Sequence, residues 1–166
     1  YLGNLRSSKQ YNLQTGQFVS EIPFDNGIDM VIKTLNSGDT YGVAPFVSGI
    51  YIIDLPTGAT TEVFRGSPIV DTIDGDELTG ALGFLADMEV DADFVYLSDY
   101  QMNRIRKIDI HDRFITSVAG AGLGYADGFG EEAKFNVPKG IMFLGGVIFV
   151  ADTKNTAIRR LTPVSP

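Results

Sequence analysis

The stretch FVYLSDYQMNRIRKIDIHDRFITSVAG, Phe94 to Gly120, decides the fold. Three short apolar runs are separated by polar turns, the form of three consecutive strands in one small antiparallel sheet. A shift of 53 residues lays Val95–Ile108 (VYLSDYQMNRIRKI) over Ile148–Leu161 (IFVADTKNTAIRRL). Asp99 then matches Asp152, Ile105 matches Ile158 and Arg106 matches Arg159. The same register carries Asp74-Gly75 onto Asp127-Gly128 and Leu82 onto Phe135 with no gap. A unit repeating at roughly 40 to 50 residues is the mark of a four-stranded propeller blade. The expected fold is all-β: a β-propeller of four-stranded antiparallel blades.

Working outward, residues 8–23 (SKQYNLQTGQFVSEIP) place two extended runs around Gln14-Thr15-Gly16, which reads as the last two strands of an incomplete first blade. A turn at Asp25-Asn26-Gly27 leads into a second blade over 28–66. Its strands are read at Ile28–Thr34, Tyr41–Phe46, Gly49–Leu55 and Thr60–Arg65, with turns at Asn36–Asp39 and Pro56-Thr57-Gly58. The third blade covers 82–120, and the fourth covers 135–163 without an outermost strand. The hairpins YNLQTGQFVSEI, IIDLPTGATTEVF and IDIHDRFITSV share one form, so the repeat extends to the sheet edges. That makes about three and a half blades of a larger ring.

Composition agrees with this reading. Of 166 residues, 44% are hydrophobic and 20% charged, which suits a packed domain, and 19 Gly beside 11 Phe and 7 Tyr suit short strands joined by tight turns. The formal net charge of −8 opposes a phosphate backbone, so nucleic acid is not an expected partner. No cysteine is present, which removes disulfides and thiolate metal sites. No apolar run approaches the roughly 18 residues of a membrane span. The chain opens at Tyr1 rather than Met, which suggests a processed product or a piece of a longer polypeptide.

The segment ITSVAGAGLGYADGFGEEAKFNVPKGI, followed by IFVADTKNTAIRRL, resembles the NHL-repeat family of β-propellers. The residues that carry the resemblance are Asp127-Gly128, Phe135, Pro138, Gly140, Ala151-Asp152, Asn155, Ile158 and Arg159. Blade three departs from the pattern: Leu82, Leu85 and Asp87 replace the phenylalanine, proline and glycine, and the asparagine stands one place late as Asn103. Blade two keeps only the strand pattern and the Thr-Gly hairpin. The resemblance implies a ring of roughly six blades, whose closure removes exposed sheet edges. The remaining blades would then come from a longer polypeptide or from another chain.

Candidate chemistry divides into repeated and unrepeated residues. Asp99 and Asp152 each end a strand before a turn, where a carboxylate accepts turn N–H groups. A catalytic centre need occur only once, so their recurrence argues for scaffold. Arg106 and Arg159, each beside a second base, are expected to place one cation against an acid of a neighbouring blade and the other in solvent. Some NHL propellers bind RNA through a basic face; 13 Lys and Arg against 21 Asp and Glu oppose that here. Asp71, Asp74, Asp76 and Glu77 are the candidate calcium ligands, being carboxylates close together around a glycine turn, although the full spacing of a calcium loop is absent. Glu89, Asp91 and Asp93 read as one solvent-facing edge.

His111 is the single histidine, which leaves no three-histidine zinc centre within the chain. Gly120-x-Gly122-x-Gly124 lies among strands and reads as a link between blades rather than a phosphate loop. What the repeat does not explain is Tyr100, Gln101 and Met102, and the turn His111-Asp112-Arg113. These are the candidate interaction residues. The expected function is a non-catalytic scaffold that binds a protein or a glycan, without a cofactor unless calcium is held. The competing reading is a lyase or lactonase of propeller architecture, with a metal in its central channel supplied partly by other blades.

Overall fold

The computed structural model of the chain describes residues 6–11, 18–24, 31–34, 40–46, 49–54, 59–65, 73–76, 78–91 and 94–163. All regular structure among them is antiparallel sheet, apart from two three-residue 3-10 turns. In the first sheet β1 (Arg6–Tyr11) pairs with β2 (Phe18–Phe24). The second runs in order through β3 (Val31–Thr34), β4 (Thr40–Phe46), β5 (Gly49–Asp54) and β6 (Ala59–Arg65). The turns read at Gln14–Gly16, Asp25–Gly27, Asn36–Asp39 and Pro56–Gly58 lie outside the described residues, as do Ile28, Asp29 and Met30 of the strand read at Ile28–Thr34.

The third sheet comprises β7 (Gly75–Asp76), β8 (Leu85–Asp91), β9 (Phe94–Asp99), β10 (Arg104–Asp109) and β11 (Phe114–Ala119). Its spatial order is β7-β11-β10-β9-β8, a four-stranded meander with a fifth short strand on its outer edge. The fifth strand differs from the sequence reading, which makes Asp74-Gly75 only a turn. Gly75 and Asp76 pair with Ile115 and Phe114, covering part of an edge that would otherwise carry open backbone groups. A side chain at residue 75 would meet the Thr79 hydroxyl at 2.4 Å, so this approach requires glycine. The fourth sheet holds β12 (Pro138–Leu144), β13 (Val147–Asp152) and β14 (Ala157–Leu161) in sequence order.

Strand alternation sends side chains of the third sheet into two different cores. Val95, Leu97, Ile108 and Ile115 pack with Met88, Val90 and Leu82 around Ile50, on the side of the second sheet. Ile105 and Ala119 face the other way, joining Phe135, Ile141, Ile148 and Val150, with the Tyr96 and Phe143 rings stacked at 5.4 Å. A sheet covered on both faces needs apolar side chains on both, which is why the central strand β9 opens with the unbroken apolar run Phe94–Leu97. Each fully buried aliphatic side chain contributes about 1.5–3 kcal/mol, so the two cores dominate what holds the blades together.

Candidate functional site

The aspartates at the ends of β9 and β13 occupy the same place in two blades and are fully buried. Asp99 accepts the N–H of Gly83 at 2.8 Å on one oxygen and the N–H of Met102 at 3.1 Å on the other. A Cβ at residue 83 would stand 2.5 Å from that carboxylate, which explains the glycine there. Asp152 accepts the N–H of Asn136 at 2.7 Å, the Asn155 amide at 2.8 Å and the Arg159 guanidinium at 3.1 Å. Each carboxylate therefore joins the segment entering a blade to the turn that follows its second strand. Burial raises the Asp99 carboxyl above its ordinary value, against the opposing pull of the Gly83 and Met102 N–H groups and of Arg106 and Arg104.

Arg106 and Arg159 also act as scaffold, with a partner other than the one the sequence suggests. Arg106 is completely buried and reaches Asp74 at 2.9 Å, together with the carbonyls of Ile73 and Ala81. Arg159 reaches Asp127 and the carbonyls of Ala126 and Lys134, residues 53 places further on. These acids belong to the segment leading into the arginine's own blade, which corrects the expectation of an acid from a neighbouring blade. The reason is topological: that segment folds back along the outer edge of its own sheet. Burial draws the Arg106 guanidinium below its ordinary value, and Asp74 counters the shift. The adjacent bases are also engaged or exposed: Lys107 sits over the Phe94 ring at 4.0 Å, and Arg160 is exposed.

The candidate interaction residues fall into two groups at opposite ends of β10. Tyr100, Gln101 and Met102 form the turn before it, where Tyr100 stacks on Phe84 at 6.3 Å and the Gln101 side-chain oxygen accepts the Phe84 N–H at 3.3 Å. His111 and Arg113 lie in the turn after it, both exposed, and Asp109 accepts the N–H groups of His111 and Asp112. Six strand residues, roughly 20 Å, separate the two turns, so one small ligand does not span them. Of the candidate calcium ligands, Asp74 is held by Arg106 and Ser117, while Asp76 accepts the N–H groups of Leu78 and Thr79 and the Thr79 hydroxyl. The Thr79 hydroxyl, followed by the Thr79 and Leu78 N–H groups, holds Asp76 below its ordinary value. Asp71 and Glu77 lie outside the described residues. Glu89 and Asp91 are half-buried, and burial together with the Asp91 charge raises Tyr96; Asp93 lies outside the described residues.

Three residues that join blade three to blade four escape a reading by repeat. The Asn103 side-chain oxygen accepts the N–H of Val137 at 2.7 Å, Asp87 accepts the N–H of Ile141 at 2.9 Å, and the Ser98 hydroxyl donates to the Lys139 carbonyl. Asn103 is therefore not a displaced copy of Asn155. It matches Thr156, and both adopt left-handed backbone, with φ of 56° and 51°. The available signal was departure from the repeat, since Thr156, Gly140 and Ala151 stand at the equivalent places in blade four.

These blades can be compared with known proteins. No family model matches the chain. NHL repeat-containing protein 2 of Homo sapiens is 32% identical over 69 residues, covering 42% of this chain and 10% of that protein. Over that stretch the blades resemble NHL-type repeats. The same architecture recurs in solved structures of auxiliary nutrient binding proteins from two bacteria. The one from Bacteroides thetaiotaomicron matches 93% of this chain with a TM-score of 0.71 at 22% identity, and the one from Bacteroides ovatus matches 95% with 0.73 at 20%. Identities that low establish the propeller fold alone. The chain spans 42% and 43% of those two structures and a tenth of the human relative.

Proposed function

We propose that the chain is a non-catalytic binding and scaffold module whose blade surfaces receive another protein. The observation that carries this reading is a pair of equivalent isoleucines. Ile105 is fully buried where blade four covers blade three, whereas Ile158, at the same place in blade four, is 73% exposed. Met142 and Leu144 extend that apolar surface, at 47% and 64% exposed. An apolar face of this kind on a sheet built for burial marks an interaction surface.

The carboxylates and guanidinia that recur through the repeat point the same way, because they are spent on backbone and on one another. Among the described residues no three His, Cys, Asp or Glu side chains converge as metal ligands. The nutrient-binding description of the two bacterial structures supports a binding role, and a glycan remains the second ligand class for the turns around Tyr100 and His111. Metal analysis of the purified full-length protein tests the reading. A sub-stoichiometric content is expected, and one tightly held ion per propeller channel overturns it in favour of an enzyme of propeller architecture.

A further inference from the structure

We draw no further inference here: the strongest candidate, the exposed apolar side chains Leu123, Tyr125 and Phe129 on the segment joining blades three and four, carries nothing because nothing in the structure shows what covers them.

Discussion

Replacing Ile105 and Ile158 by alanine, one at a time, separates what a residue is from where the fold puts it. Both are isoleucines at one place in the repeat, on adjacent blades. Ile105 is completely buried among Ala119, Phe135, Ile141, Ile148 and Val150. Truncating such a side chain removes its transfer free energy and leaves a cavity between two rigid sheets that do not collapse easily. The loss is in the upper part of the core range, about 4 kcal/mol. With a urea slope of about 2 kcal/mol per molar, the midpoint of Ile105→Ala falls by about 2 M. Ile158 is 73% exposed, so Ile158→Ala forfeits little burial and at most about 1 kcal/mol of strand preference. Its midpoint moves by less than about 0.5 M. The chain has seven tyrosines and no tryptophan, so tyrosine fluorescence and far-UV circular dichroism are the probes of unfolding. Equal midpoint shifts in this chain would refute the reasoning, because they would mean that the outer face of blade four is buried as deeply as that of blade three.

Other outcomes test individual contacts. Asp99→Asn turns an amide N–H toward either the Gly83 or the Met102 N–H, and is expected to lower stability by about 1–3 kcal/mol in the same denaturation assay. Asp99 also sets a sign for pH dependence. Its folded value is raised, so its contribution to stability is fully present below the ordinary 3.8 and is lost as pH rises through the folded value. Asp76 has the opposite sign: its value is lowered, and its contribution disappears as pH falls below 3.8. Denaturation midpoints of the Asp99→Asn and Asp76→Asn variants across pH 3 to about 7 should separate the two slopes, and parallel curves would contradict the assignment. Asn103→Ala orphans the Val137 N–H at the junction of blades three and four, at a cost of about 1–3 kcal/mol, with faster amide exchange at Val137 as the local readout. Val137 itself is β-branched at φ 55°, so Val137→Gly is expected to stabilise the chain by about 1 kcal/mol, and a loss of stability would deny that strain.

The repeated part of this protein was readable from one dimension because every blade must solve the same problem. Asp99 and Asp152 recur because each strand end needs an acceptor for the N–H groups of two segments, and Arg106 and Arg159 recur because each folded-back segment has carbonyls to bind. Spacing alone exposed those pairs, along with the strands between them. The partner of each arginine was not readable, since alternation tells which side of a strand a residue occupies but not which segment arrives there. Asn103 was misread for the same reason: by residue type it resembles Asn155, while by register it matches Thr156, and only register is physical in a sheet.

For the candidate site the division is sharper. The sequence separated Tyr100, Gln101, Met102, His111 and Arg113 from the scaffold, since they break the repeat. Only the folded chain placed them in two turns at opposite ends of β10, because a strand carries neighbours in sequence far apart in space. Likewise Ile105 and Ile158, or Asp74 and Asp127, are the same letters at the same offset, and no local rule distinguishes them. Their burial is set by whether another blade or another strand lies against them, and that is a property of the assembled sheets. Sequence by itself determined that the chain builds repeated four-stranded blades; tertiary structure decided which faces and edges of those blades are already covered and which are open.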